Sequence, residues 1–183
     1  MVTCFPPLAS PDARVLILGS FPGKESLRKQ EYYAYPRNAF WFIIRSLLHL
    51  QEDLSYAERA KALMHHRLAL WDVMLSCRRE GSLDSSIDDA TIQVNDFKSF
   101  FREYREIGQV FFNGLKAEHE YRRRVLPSAG AFGRTLQYRR LPSTSPAMAM
   151  LSREEKLTRW AHANQAIARC RRERYSKGTK QGE

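Results

Sequence analysis

The chain has 183 residues, of which 43% are hydrophobic and 27% are charged. This length suits a single domain with a sizeable core, and the composition excludes a long disordered or collagen-like chain. The 30 Lys and Arg outnumber the 20 Asp and Glu, and the resulting net charge of +10 favours nucleic acid, or an acidic membrane surface, as the partner.

Short apolar runs alternate with helical patterns along the chain. In chain order the predicted elements are a strand over 14–18, helices over 39–50 and 55–66, a strand over 68–71, a helix over 95–104, a strand over 109–112, a helix over 116–124, a strand over 136–141 and a helix over 152–172. Capping boxes begin at Ser55 and Ser152, and Asn38 and Asn95 are candidate N-caps.

Strands that alternate with helices predict a parallel sheet covered on both faces. We therefore expect an α/β fold, a three-layer α/β/α sandwich around a central, mostly parallel four-stranded sheet. Residues 1–175 are predicted to form one domain, and 176–183 a flexible polar tail. Ligands of such sheets bind beyond the carboxyl ends of the strands. At that edge the sequence predicts loops over 19–38, 72–86 and 142–150.

Two of these loops have unusual compositions. Residues 19–23 read Gly-Ser-Phe-Pro-Gly, which allows a ligand to approach the backbone closely but matches neither a P-loop nor G-x-G-x-x-G. Residues 142–146 read Pro-Ser-Thr-Ser-Pro, a stiff segment whose N–H and O–H donors suit phosphate oxygens. An ordinary turn after a strand remains the alternative for the first loop, and a structural loop for the second.

Four ordered blocks over about 14–150 resemble the uracil-DNA glycosylase superfamily, and within it most nearly the hypoxanthine-DNA glycosylase branch. The matching segments are Leu-Ile-Leu-Gly-Ser-Phe-Pro-Gly at 16–23 with Pro-Arg-Asn at 36–38, Leu-Trp-Asp-Val at 70–73 with Gly-Ser-Leu-Asp-Ser at 81–85, Phe-Asn-Gly at 112–114, and Leu-Pro-Ser-Thr-Ser-Pro-Ala at 141–147. Most of the superfamily carries a water-positioning Asn or Asp in the first loop, where this chain has Ser20 and Phe21. The resembling branch places its catalytic Asn in the Pro-Arg-Asn segment, which is Asn38 here. The second motif has Leu141 where many relatives have His.

The resemblance implies a monofunctional DNA glycosylase of base excision repair. Such an enzyme flips a deaminated base, here hypoxanthine, out of DNA and hydrolyses its N-glycosidic bond. Asn38 is implied to position the attacking water, although an Asn before an apolar helix also suits an N-cap. The implied base-binding residues are Gly19, Ser20, Phe21, Tyr33 and Asp72. Asp72 could instead cap its own loop, and the aromatic residues could belong to the core.

The implied DNA-binding residues are Ser143, Thr144, Ser145, Met148, Arg37 and Arg78. The three hydroxyl residues would hold a phosphate, and Met148 would enter the base stack. The alternative is that Met148 and Met150 pack against the last helix. Asn113 is interpreted as a turn residue before Gly114 rather than as part of the pocket.

Alternatives stay open at this stage. They are a uracil-specific, mismatch-specific or xanthine-acting glycosylase, a non-catalytic nucleic-acid-binding protein of the same fold, and an enzyme acting on free nucleosides.

Three scattered cysteines indicate a reducing compartment and no metal cluster, and the histidines lack metal-ligand spacing. The first ten residues do not resemble a signal peptide, and no apolar run approaches the ~20 residues of a membrane span. We expect a cytoplasmic, nucleoid-associated monomer that binds DNA and needs no cofactor or metal.

Overall fold

The computed structural model describes residues 2–79, 86–127, 132, 135–161, 163 and 165–166. Its elements are β1 (Val2–Thr3), β2 (Val15–Gly19), α1 (Lys24–Lys29), α2 (Phe40–Leu48), α3 (Tyr56–His65), β3 (Leu68–Asp72), β4 (Met74–Cys77), β5 (Gln93–Val94), α4 (Phe97–Glu103), β6 (Gln109–Asn113), α5 (Leu115–Glu120), β7 (Gln137–Leu141) and α6 (residues 153–161). One turn of π-helix, Tyr121–Val125, continues α5. Among the described residues, no helix combines the length and the apolar character that crossing a membrane requires.

Four strands form the central sheet, in the order β3-β2-β6-β7. All three strand pairings are parallel, so the carboxyl ends of the strands meet at one edge. Every residue of β2 is buried, because this interior strand has a covered face on each side. The predicted parallel sheet is therefore confirmed.

The side chains of β2 alternate between two hydrophobic cores. Val15 and Ile17 pack on one face of the sheet with residues from α2, α3 and α6, namely Phe40, Ile43, Ile44, Leu63 and Trp160. Leu16 and Leu18 pack on the other face with residues from α4, α5 and the π-helical turn, namely Phe97, Phe100, Phe101, Ala117 and Tyr121. Helices thus cover both faces of the sheet, which confirms the expected three-layer α/β/α arrangement.

Two of the predicted loops contain regular structure. The segment 19–38 includes α1, whose sequence Lys-Glu-Ser-Leu-Arg-Lys buries Ser26 and otherwise has no apolar stripe to reveal a helix. The segment 72–86 includes β4, which pairs with β1 and β5 in a small antiparallel sheet. These elements are stabilised by contacts with distant segments, so local patterns did not indicate them.

Helix boundaries largely follow the predicted caps. Both capping boxes are present, at Ser55 and at Ser152. The predicted cap at Asn95 is wrong by one residue: Asp96 accepts from the N–H of Ser99 and begins α4, while the Asn95 amide donates to the carbonyl of Asp72 at 2.8 Å. The far end of the last predicted helix, the block at 81–85 and the tail at 176–183 lie outside the described residues.

Gly114, which follows β6, has a conformation that only glycine adopts readily. Its φ of 99° and ψ of 174° lie in a region that a Cβ makes unfavourable. A Cβ there would also lie 2.8 Å from the Cβ of Ser143. The glycine therefore lets the end of β6 approach the segment after β7.

We predict that Gly114→Ala lowers the free energy of unfolding by about 2 kcal/mol, because the added Cβ combines backbone strain with a steric clash. Urea denaturation measures the change. Gly108→Ala is the matched control, because a Cβ at Gly108 would meet nothing within 4 Å. We expect it to stay within about 0.5 kcal/mol of the wild type. Equal losses of stability in the two variants would contradict the conclusion that Gly114 needs to be a glycine.

Candidate active site

A cavity of about 900 Å³ opens at the carboxyl edge of the central sheet. Its walls come from three stretches that are distant along the chain, namely 19–26, 32–38 and 143–148, together with the strand-end residues Asp72 and Asn113. This is the edge at which parallel α/β sheets bind ligands. The sequence predicted this edge and most of the residues that line the cavity.

The side-chain amide of Asn113 connects the walls of the cavity. Its Nδ2 donates to the hydroxyl of Tyr33 and to Oγ1 of Thr144, each at 2.9 Å, and its Oδ1 accepts from the N–H of Thr144 at 2.8 Å. The carbonyl of Thr144 in turn accepts from the N–H of Ala39 at 3.0 Å. Both N–H groups of the amide are therefore occupied, and Asn113 positions the site rather than offering donors to a ligand.

The interpretation of Asn113 as a simple turn residue is wrong, because the side chain is only 9% exposed and lines the cavity. A signal was present in the sequence. Asn113 ends a buried strand at the carboxyl edge of the parallel sheet, which is where ligands of such sheets bind.

Gly19 and Asp72 are partners in the β2–β3 register and form the base of the cavity. A Cβ at residue 19 would overlap Oδ1 of Asp72 and lie within 2.8 Å of the Tyr33 hydroxyl. Glycine is therefore needed here so that the Asp72 carboxyl, on a side chain only 3% exposed, can lie beside β2. The Tyr33 ring stacks on Phe40 with centroids 4.0 Å apart. Tyr33 itself has a left-handed backbone, with φ of 54°, which is uncommon for an aromatic residue.

Asn38 lines the cavity at the start of α2. Its Oδ1 accepts from the N–H of Phe40 at 2.9 Å, and its own N–H donates to the carbonyl of Tyr35 at 2.9 Å. The predicted cap is wrong by one residue: the N-cap of α2 is Ala39, which makes no side-chain capping bond, and the Asn38 bond closes a turn just before the helix. The bond to Phe40 nevertheless fixes the direction of the Asn38 side chain, which remains half-buried at the cavity wall.

Phe21 and Ser20 follow β2 along the cavity wall. The Phe21 ring is 7% exposed, and the guanidinium of Arg79 lies 5.3 Å from its centroid. Arg79 also donates to the carbonyl of Pro22 at 2.7 Å. The carbonyl of Ser20 accepts from the N–H of Met74 at 3.1 Å, which ties this wall to β4. The ring is therefore fixed in place where it meets the cavity.

The hydroxyl-rich segment divides into buried and accessible residues. The burial of Thr144, which is 0% exposed with its side chain held by Asn113, contradicts the prediction that it contacts phosphate. Ser143 and Ser145 remain partly exposed, and their hydroxyls accept from the N–H groups of Ser145 and Ala147, both at 3.2 Å.

The methionines that follow this segment are exposed. Met148 lines the cavity and is 36% exposed, and Met150 is 91% exposed. Packing of Met150 against the last helix, the alternative considered from the sequence, is therefore contradicted.

Charged residues surround the cavity mouth unevenly. Lys24 and Arg37 line the cavity and are exposed, whereas Arg78 is exposed just after β4 and outside the residues that line it. Glu25 is paired with Arg28 at 2.6 Å. The hydrogen bond from Arg28 lowers the pKa of Glu25 to about 2, so this rim carboxylate stays ionised at neutral pH and is unsuited to donate a proton.

Two other titratable groups near the cavity stay protonated. Burial raises the pKa of Cys4 to about 11, with Asp72 as a smaller cause, so its thiol is a poor nucleophile. Burial, with the Asp72 charge, also raises the pKa of Tyr32, whose hydroxyl donates to the carbonyl of Pro6 at 3.1 Å. Among the described residues, no group of three or more His, Cys, Asp or Glu side chains is arranged to hold a metal ion.

Comparison with known proteins adds to this geometry. The sequence model of the uracil DNA glycosylase superfamily matches residues 6–168 of this chain. The chain is 38% identical over 139 residues to a protein named hypoxanthine DNA glycosylase from Methanosarcina acetivorans, a match that covers 71% of this chain and 87% of the relative. It is 36% identical over 148 residues to a protein of the same name from Methanosarcina barkeri, covering 74% and 91%. The solution NMR structure of a proposed uracil DNA glycosylase from M. acetivorans is similar with a TM-score of 0.73 and 34% identity, covering 90% of this chain and 96% of that one.

We predict that Asn113→Ala lowers the free energy of unfolding by about 3 kcal/mol, because it leaves the buried N–H of Thr144 without its acceptor. Thr144→Val removes one of the same bonds and should cost about 1 kcal/mol. Urea denaturation of both variants and of the double variant measures the coupling. The double variant should lose less than the sum of the single losses. Strict additivity would show that the two side chains do not form one network.

Proposed function

Because the chain belongs to the uracil DNA glycosylase superfamily, we propose that it is a DNA repair glycosylase that flips a deaminated base, above all hypoxanthine, out of DNA and hydrolyses its N-glycosidic bond. One observation carries the proposal: the Asn38 amide, the Asp72 carboxyl and the segment 143–148 line the same cavity. The names of the relatives support hypoxanthine as the base.

The charge of the protein and its exposed groups suit DNA as the substrate. Extracting a base from the duplex costs a few kcal/mol, and contacts to phosphate offset that cost. The net charge of +10 attracts the polyanion. Arg37, which is exposed and lines the cavity, and the partly exposed Ser143 and Ser145 would hold phosphates, and Arg78 would contact the DNA backbone further away. Met148, exposed beside the cavity, would fill the gap that the flipped base leaves.

Asn38 is proposed to position the water that attacks C1′ of the sugar. Its Oδ1 accepts one hydrogen bond from the N–H of Phe40, and a carbonyl oxygen has a second lone pair that can accept from water. As water adds to C1′, the bond from C1′ to the base breaks and its electron pair leaves with the base. The hydroxyl group stays on C1′, and the water's proton is released and balances the charge of the departing base. The products are free hypoxanthine and an abasic site.

Asp72 is proposed to distinguish a deaminated base from its parent. Deamination of adenine converts N1 from an acceptor into an N–H donor, as it does N3 of cytosine. An ionised carboxyl at the base of the cavity would accept from the new N–H and repel the lone pair of the parent base. Phe21 and Tyr33 would then lie against the flipped base, with the backbone of Gly19 and Ser20 at its edge.

We predict that Asn38→Ala and Asn38→Ser each slow hypoxanthine release at least roughly 100-fold, because both remove the amide that positions water. The two variants separate catalysis from the bond to Phe40. Serine can still accept from the N–H of Phe40, whereas alanine loses that bond and should cost about 1 kcal/mol of stability. Single-turnover release from a duplex with one inosine gives the rate, and binding of that duplex should stay within about threefold of the wild type.

Wild-type release by Asn38→Ser would limit the role of Asn38 to its bond with the N–H of Phe40. Tight DNA binding without base release by the wild type would instead indicate a non-catalytic nucleic-acid-binding protein.

We predict that hypoxanthine is released at least about tenfold faster than uracil, and that unmodified adenine is not released, when single-turnover rates are compared on matched duplexes. The reason for rejecting adenine is the repulsion between its N1 lone pair and the Asp72 carboxylate. Uracil release without action on inosine would overturn the choice of base. Release of adenine at a comparable rate would overturn the proposed role of Asp72.

A further inference from the structure

A lysine of α6 is buried beneath the segment at the cavity mouth. Lys156 is 4% exposed, and its Nζ donates to the carbonyl of Ser145 at 2.8 Å. The same carbonyl accepts from the N–H of Met148 at 3.1 Å, which closes a tight turn over 145–148. The lysine therefore holds the turn that carries Met148 beside the cavity.

A second side chain of α6 holds the other end of this segment. Trp160 lies one helical turn after Lys156, and its Nε1 donates to the carbonyl of Pro142 at 2.9 Å. The start of α6 is set by a capping box, in which the N–H of Ser152 donates to the Glu155 carboxylate at 2.6 Å. Residues 142–145 are thus attached at both ends to one face of a capped helix.

The charge of Lys156 is not needed for this attachment. Among the described residues Lys156 forms no ion pair, and one of its N–H groups donates to the Ser145 carbonyl. Burying an ammonium group without a counter-ion is unfavourable, and burial accordingly lowers the pKa of Lys156. A neutral donor would bind the same carbonyl with a smaller desolvation free energy. A buried cation is therefore better explained by an anion that arrives with the substrate.

We infer that Lys156 is a positioning residue for DNA binding, whose buried positive charge lies behind the 143–148 segment and strengthens its hold on a phosphate of the substrate. This inference rests on the proposed function, since it takes DNA as the ligand of the segment. Lys156 acts through the Ser145 carbonyl and the turn, and it does not itself touch the reacting atoms. Its effect is to fix the turn and to attract phosphate to the O–H groups of Ser143 and Ser145, whose oxygens already accept from backbone N–H groups.

Three substitutions separate the charge from the hydrogen bond. Lys156→Arg keeps both, Lys156→Gln keeps a donor without the charge, and Lys156→Met keeps the length and loses both. Arg159→Met is the control, because Arg159 is exposed on the same helix. The dissociation constant for a duplex carrying a stable abasic-site analogue is measured by fluorescence anisotropy. Thermal unfolding and single-turnover release from an inosine duplex are measured alongside it.

We expect Lys156→Met and Lys156→Gln to weaken DNA binding roughly tenfold, while Lys156→Arg and Arg159→Met stay within about threefold of the wild type. The melting temperature of Lys156→Met should be unchanged or higher, since the substitution removes a buried charge that has no ion pair in the described part of the chain. Weaker binding without lower stability is a result that a purely structural tether would not produce.

Wild-type affinity in Lys156→Gln would overturn the inference, because the charge would then have no use. A lower melting temperature in Lys156→Met with unchanged affinity would also overturn it and leave a structural tether. Failure of the proposed function is read separately, from the absence of base release by the wild type, because the binding measurement does not depend on catalysis.

Discussion

The side-chain amide of Asn113 joins segments that are far apart in sequence, and the shape of the cavity depends on this connection. Its bonds reach Tyr33 before α2 and Thr144 after β7, and the Thr144 carbonyl continues the connection to Ala39. A buried amide is costly unless all its groups are paired, so this network tolerates little rearrangement. It therefore holds Asn38 and the 143–148 segment in fixed positions before any ligand binds.

The proposed chemistry depends on other polar side chains of the cavity. Asn113 and Thr144 are occupied by each other, whereas Asn38 keeps a lone pair and the Asp72 carboxyl lies on the cavity floor. Gly19 permits this placement because any Cβ there would displace the carboxyl. The side chains to which we assign the chemistry are thus held by their surroundings before a ligand binds, which is the orientation that catalysis requires.

Two side chains near the cavity mouth are in environments that do not favour folding. Lys156 is buried without an ion pair among the described residues, and Met150 is almost fully exposed, although folding alone favours neither arrangement. Both belong to the elements that the proposed function brings against DNA. Local departures from what stabilises a fold are expected where a binding surface is built.

The sequence by itself determined the parallel sheet, its two covered faces, both capping boxes and most residues of the cavity, because apolar periodicity and strand ends are local signals. Only the tertiary structure decided which polar residues face the cavity and which support it. Thr144 was predicted to bind phosphate and is buried against Asn113, and Asn113 was interpreted as a turn residue and joins three segments. The sequence indicated no role for Lys156, whose contact with Ser145 appears only in the folded chain. Each of these roles depends on a partner between 11 and 80 residues away along the chain, and no local pattern records such a contact.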